Sequence, residues 1–261
     1  RVDRRQRQMC IRDRGHLDDA EFLLESAVKL DPSNAEIRKK YLLILRKRQR
    51  FTKTMEQADI LIKQYPNNLS YRAQKAIEVM QNGDHEESIV LLEDILKKAP
   101  LDPNTLTAKG HAEKTLGRTE DAIKSYQLAY NSKHDHGEAY FSLSNLKTYK
   151  FDSEEIEQMR NQLSRVDISI SDRTYFHFAL AQGCESAGQY DEAFFHLDNG
   201  NQIRREQTKY SIERMNKEMQ LQQDICDDSF FKSMGGGGID TKDPIFILGL
   251  PRSGSTLIEQ I

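Results

Sequence analysis

Between Gly249 and Thr256 the chain sets one cation, Arg252, and three hydroxyls, Ser253, Ser255 and Thr256, around two glycines, Gly249 and Gly254. That mixture suits an anion. Glycines let backbone N–H groups approach a ligand, a guanidinium supplies charge, and hydroxyls supply further donors. The elements that must position them are readable on either side. Ile245, Phe246, Ile247 and Leu248 form an apolar run without alternation, the pattern of a strand buried on both faces in a parallel sheet. Pro244 suits the first position of such a strand, where no ladder donor is needed. Ser255 onward reads as the start of a helix, with Thr256 and Glu259 at capping-box spacing. Strand, glycine loop and helix start together aim unpaired N–H groups and a helix dipole at a phosphate. A nucleotide triphosphate loop carries Lys after its second glycine, and here Ser255 stands there instead. The positive charge lies inside the loop at Arg252, so a less charged phosphate group is expected and a nucleotide kinase is disfavoured.

The run Pro251-Arg-Ser-Gly-Ser-Thr-Leu257 after an apolar strand resembles the 5′-phosphosulfate loop of the sulfotransferases, most of all the tyrosylprotein-sulfotransferase-like branch. The resemblance implies 3′-phosphoadenosine-5′-phosphosulfate (PAPS) as sulfate donor, no metal, and a hydroxyl acceptor, with protein tyrosine as the nearest precedent. It implies that Arg252 is the catalytic residue of this stretch, neutralising charge on the phosphate and bridging oxygen as the sulfuryl group moves in line. Arg252, Ser253, Gly254, Ser255 and Thr256 would bind the donor. In the family a Glu further downstream is the general base, and Glu259 reads as a capping residue instead. The chain opens on Arg1 and closes on Ile261 inside the helix after the loop. Both ends read as cut, and these residues alone are expected to be inactive.

The rest of the chain is of another kind. Of its 261 residues 30% are charged, none is Trp, and only 6 are Pro, a composition for exposed amphipathic helices rather than a large sheet core. A net charge of −3 points away from nucleic acid and acidic membranes. Cys10, Cys184 and Cys226 are odd in number and far apart, without zinc or redox spacing, so a reducing, cytoplasmic setting is expected. No apolar run is long enough to span a bilayer.

Pro32, Pro66 and Pro100 recur every 34 residues. On that period Gly15, Gly83 and Gly117 share a column. So do Ala20, Thr54, Ser88 and Ala122; Leu24, Ala58, Leu92 and Tyr126; Ala27, Leu61, Ile95 and Ala129; and Leu42, Ala76 and Gly110. Small residues where two helices cross, glycine at the turn between them and Pro after the second helix resemble the tetratricopeptide repeat. One such pair cannot bury its apolar stripe, so neighbours stack into a solenoid. Residues 137–166 depart from the pattern, with a first helix from Ala139, a second from Ser153 as N-cap, and no small residues at the crossing. Ala181, Gly188, Ala193, Leu197 and Gly200 recover it a few residues out of phase.

The expected fold is therefore mainly α, a tetratricopeptide-repeat solenoid followed by the first strand-loop-helix of an α/β P-loop-like sulfotransferase domain. The expected divisions are 1–14, a basic tail, disordered or foreign; 15–206, the solenoid; 207–242, a bridging helix and a linker around Gly235-Gly-Gly-Gly238; and 243–261, the start of the catalytic domain. Repeats leading into this loop resemble bacterial proteins that fuse tetratricopeptide repeats to a sulfotransferase domain. Asn145-Leu-Lys-Thr-Tyr149 and Tyr175-Phe-His-Phe-Ala-Leu180 look like that family too.

The repeats would bind a protein or peptide, present the acceptor, or pair two copies into a homodimer. The columns that clamp a C-terminal carboxylate in chaperone-type repeats hold Lys39 and Leu43, Ala73 and Ile77, Thr107 and His111, Phe141 and Asn145. No repeat supplies Lys and Asn together, which disfavours that clamp. His134 and His136, on a turn without a third ligand, read as solvated loop residues rather than a metal site. His111, His177 and His196 read as packing or surface residues. An alternative function, carried by the repeats alone, is a non-catalytic protein-interaction scaffold.

Overall fold

The computed structural model describes residues 17–146, 148–208, 211–235, 247–249, 254 and 258. The chain divides into two compact units after Gln207. The first unit is built from α1 (Leu17–Leu30), α2 (Ala35–Lys47), α3 (Phe51–Gln64), α4 (Leu69–Gln81), α5 (His85–Leu96), α6 (Pro103–Thr115), α7 (Thr119–Ser132), α8 (Gly137–Ser144), α9 (Ser153–Leu163), α10 (Ile170–Ser186) and α11 (Tyr190–Thr208). The second holds α12 (Ile212–Ile225) and α13 (Asp228–Ser233), neither with a buried residue. Among the described residues there is no strand, and no helix is long and apolar enough to cross a membrane.

The 34-residue period is written into the helix ends. Asn34, Asn68, Asp102 and His136 are the N-caps of α2, α4, α6 and α8. Arg50, Asp84, Arg118 and Asp152 are those of α3, α5, α7 and α9. Asn34, Asn68 and Asp102 each accept a backbone N–H from the first helical turn, as short polar side chains do at this position. The proline turns are held from the following helix: Arg38 donates to the Pro32 carbonyl at 2.7 Å and Arg72 to the Pro66 carbonyl at 3.0 Å. Between the helices of a pair, Gly83 and Gly117 take left-handed φ of 97° and 77°. Gln49, in the same column, takes φ 54° without being glycine.

The aligned columns are the core. Ala20, Thr54, Ser88 and Ala122 are at most 1% exposed, the last three where the second helix of a pair meets its partner. Bulk is traded across that crossing, with Leu42 against Ala58, Ala76 against Leu92, and Gly110 against Tyr126. A Cβ on Gly110 would lie 2.5 Å from the Tyr126 ring.

Two expectations change at the fourth pair. Asp152, not Ser153, is the N-cap of α9. Its carboxylate accepts the Glu155 N–H at 2.8 Å while Glu155 returns to the Asp152 N–H at 3.0 Å, a reciprocal box that Ser153 is one residue too late to make. Close approach is also present here, only moved. Gly137 abuts the start of α10, and a Cβ there would lie 2.6 Å from the Asp172 carbonyl oxygen. The phase shift that follows comes from length. α8 has 8 residues and α10 has 17, so α11 starts three residues later than the period predicts.

Candidate functional site

Arg252, Ser253, Ser255 and Thr256 lie outside the described residues, as do Pro244–Phe246 of the predicted strand and Glu259 of the predicted capping box. Of the loop, Gly254 is described. It takes φ 90°, a conformation glycine adopts without strain, and its carbonyl accepts the Ile258 N–H at 3.2 Å, a helical i→i+4 bond. Ile247–Gly249 carry no regular structure.

The described surface with the means to bind a partner is built by the first helices of successive pairs, which lie side by side: α4 on α6, α6 on α8, α8 on α10. Along it run Leu43, exposed, and Ile77, His111 and Phe141, half-buried. Phe141 stacks on Tyr175 with ring centres 5.2 Å apart and leans on Phe178 at 6.0 Å, which extends the row into α10. These side chains are too exposed to be core and too apolar to be ordinary surface. Charge varies along the row. At α2 it is basic, with Lys39, Lys40 and Lys47 exposed and Arg46 paired to Glu78 of α4. In the middle, His111 is held between the Tyr126 hydroxyl, 2.9 Å from Nδ1, and Glu138, 3.7 Å from Nε2. The His111 hydrogen bond keeps the Glu138 carboxyl below its ordinary range.

Beside the row, between α4, α5 and α6, is a half-open hollow of about 250 Å³. Ala73, Ile77, Leu92, Ile95 and Ala108 form its apolar wall, and Ser70, Asp102, Asn104 and Thr105 its polar rim.

Two residues read from the sequence as surface are not. Thr107 is 2% exposed and bonds His136 Nε2 at 2.8 Å, so it is withdrawn from the row. His136 is correspondingly buried, not a solvated loop residue. Among the described residues no three His, Cys, Asp or Glu side chains are placed to hold a metal ion. His177 and His196 face each other, Nδ1 to Nδ1 at 3.0 Å, beside Glu192 and Arg160. That pair joins residues 19 apart on α10 and α11, and no spacing rule for a helical hairpin singles it out.

The model of the Psidin N-terminal tetratricopeptide-repeat region matches residues 47–155. An uncharacterized protein of Aquifex aeolicus (strain VF5) is 27% identical over 193 residues, 73% of this chain. The chain spans about a quarter of that relative's length. Among solved structures, MamA of AMB-1 is 18% identical with a TM-score of 0.43, over 77% of this chain and 98% of that one. MamA of Desulfovibrio magneticus RS-1, from residue 41 onward, is 15% identical with a TM-score of 0.45, over 78% and 94%. The described part of residues 17–208 is helical throughout its regular structure, and residues 47–155 of it are similar to tetratricopeptide repeats.

Proposed function

We propose that this chain is a protein-interaction scaffold, and that the face formed by α2, α4, α6, α8 and α10 holds a segment of a partner protein. The observation that carries the reading is the row Leu43, Ile77, His111, Phe141 and Tyr175, apolar but for His111 and reachable on helices that the core holds in register. An extended segment laid across it would meet cations at α2 and aromatic rings at α8 and α10. Phe141→Asp places a charge in the middle of the aromatic patch and should reduce capture of partners from the source cells at least about tenfold, the loss typical of one buried hot-spot residue. Val90→Asp, on an exposed site of a second helix, should leave capture unchanged. Equal loss in both variants, or in neither, would refute the face as the binding surface. A second copy of the chain is one partner to be tested, by sedimentation equilibrium.

A second reading rests on a separate observation, the Pro251-Arg-Ser-Gly-Ser-Thr256 run. It is a sulfotransferase activity, with PAPS as donor and a hydroxyl acceptor, belonging to a longer protein in which this solenoid recruits or presents the acceptor. The left-handed Gly254 and the helical bond that follows it support an anion loop here. Arg252 would offset charge on the transferring group, and the amides and hydroxyls of Ser253, Ser255 and Thr256 would grip the 5′-phosphate. In the longer protein Arg252→Ala should lose at least about 2.7 kcal/mol of transition-state stabilisation, the scale of one missing oxyanion donor. Sulfate transfer from labelled PAPS at an unchanged rate would remove Arg252 from that role.

A further inference from the structure

We infer that the segment of a partner protein held on the first-helix face is bipolar in charge, with carboxylates at its end over α2 and an arginine at its end over α8 and α10. The inference rests on the scaffold reading and adds what the partner must carry.

The two ends of the face differ in what their side chains still offer. On α2, Lys40 and Lys47 are exposed, about two helical turns apart on one side, with no ion pair among the described residues. Leu43 lies between them. Lys39 is tied to Glu36 at 2.8 Å and Arg46 to Glu78, so the neighbouring cations are already paired. One repeat later the places of Lys40 and Lys47 are taken by Gln74 and Gln81, and in the next by Ala108 and Thr115. Lys114, exposed on α6, extends the positive end toward the middle of the face. The carboxylates of an incoming segment gain at α2 from cations that the fold leaves unneutralised.

The other end sets a carboxylate beside rings. Glu138, in the first turn of α8, has a side chain 41% exposed, with His111 Nε2 at 3.7 Å. Phe141 follows one turn later on α8 and stacks on Tyr175 of α10. Burial raises the pKa of the Tyr175 hydroxyl; Glu138 and Asp172 act with it, and Arg204 of α11 acts against it. Two carboxylates thus surround that hydroxyl against one guanidinium. Asp172 is engaged by the Gly137 N–H at 3.0 Å and the Ser169 hydroxyl at 2.6 Å, which leaves Glu138 to receive a ligand. An ionised carboxylate next to half-buried rings suits a guanidinium, whose fork pairs with the oxygens while its plane lies on a ring. An ammonium would pair without stacking, and a carboxylate would be repelled.

The distance between the ends sets the spacing of these charges. The Arg46–Glu78 bridge holds α2 beside α4, and α6 and α8 follow in turn. Packed helices lie about 8–10 Å apart, so three steps cover roughly 24–30 Å. Extended chain at about 3.3 Å per residue crosses that span in about seven to nine residues. Midway, Ile77 is half-buried and open to one apolar side chain of the segment.

The test titrates the 261-residue chain with acetyl-EEGSLSGSGR-amide and with the reversed order, acetyl-RGSGSLSGEE-amide. The charges fix which end sits on α2, not which way the backbone runs, so the tighter of the two is the probe. It should shift the Leu43 and Ile77 methyl and Phe141 ring resonances saturably, with a dissociation constant on the order of 1 mM or below. Lys40→Glu with Lys47→Glu, both on exposed sites, should weaken the probe at least about fivefold, the scale of one well-formed exposed pair. The same double variant should regain the loss when lysines replace the two glutamates of the probe. Citrulline in place of the arginine and Glu138→Gln should each weaken binding about threefold, and together no further, because both remove one pair. No saturable shift, a lysine-ended probe that binds the parent chain as tightly, no rescue in the double variant, or additive losses from citrulline and Glu138→Gln would each overturn the polarity. Self-association of the chain that the double variant abolishes would overturn the separate partner in favour of a second copy. Loss of capture in Phe141→Asp with no effect of the charge changes would keep the face and remove the polarity, so the two failures are separable.

Discussion

Single residues carry the turns and crossings of this solenoid, and two of them make opposite predictions. Gln49 holds the left-handed conformation that Gly83 and Gly117 hold in the next two repeats. A side chain there crowds the following carbonyl at a cost of roughly 1–2 kcal/mol. Gln49→Gly should therefore raise stability by about 1 kcal/mol despite the added unfolded-state entropy of glycine, read as a shift in the urea midpoint at constant slope. Gly110 faces the other way. The ring that a new Cβ would strike belongs to Tyr126, which is fully buried and bonded through its hydroxyl to His111. The ring cannot swing aside, so Gly110→Ala should destabilise by about 1–3 kcal/mol through overpacking, although alanine is the better helix former. A neutral or stabilising result would mean that α6 and α7 slide apart at little cost.

At the scale of elements, the stability of the α10–α11 hairpin should depend on pH. Burial first, and then His196 and Arg173, push His177 down to about 4, and burial also lowers His196. The groups facing the pair are Arg173 on α10, Glu192 on α11 and Arg160 on α9, with the Arg160–Glu192 fork at 2.8–3.1 Å joining α9 to α11. One Nδ1 must donate and the other accept, so the contact survives only while the accepting ring is neutral. An unfolded histidine titrates near about 6.5. Between that value and about 4 the unfolded chain binds more protons than the folded one. Stability from this pair is therefore fully present above pH ~6.5 and lost as pH falls through the folded value. The melting temperature should decline over that window, and His177→Gln should flatten the decline. An equally steep fall in the variant would assign the pH dependence to carboxylates elsewhere.

Across the first unit, order should be uneven. The largest core cluster joins α6 to α10 through Tyr126, Tyr140, Met159, Phe176 and Leu180, whereas α1–α5 are held by three smaller clusters. A solenoid's stability is close to a sum of local and nearest-neighbour terms, so regions with smaller interfaces open first. Native-state hydrogen exchange should show the greatest protection at Tyr126, Tyr140 and Phe176, and less in α1–α3. Uniform protection along the unit would mean that the repeats open together.

The period, the columns and the helix-pair architecture follow from the sequence alone, because each repeat obeys the same local rules: a cap, a proline turn, and small residues where helices cross. The residue types and the Gly249-to-Gly254 spacing on which the proposed anion loop rests are likewise read from the sequence. The tertiary structure decided matters that depend on how neighbours fill space. Asp152 rather than Ser153 caps α9, because only its carboxylate reaches the Glu155 N–H. Thr107 turns inward to His136 rather than joining the row. The three-residue slip before α11 reflects how far α10 continues along its packing partners, which no periodicity states. The hollow between α4, α5 and α6 is the clearest division between the two. That Tyr65 and Tyr71 give way to Ala99 and Thr105 is legible in the aligned columns, but Leu69 and Leu92 enlarge at the same junction. Whether the exchange closes the space is a question of volume in three dimensions: Leu92 and Ile95 are covered, at 0% and 2% exposed, and a half-open hollow of about 250 Å³ is left above them.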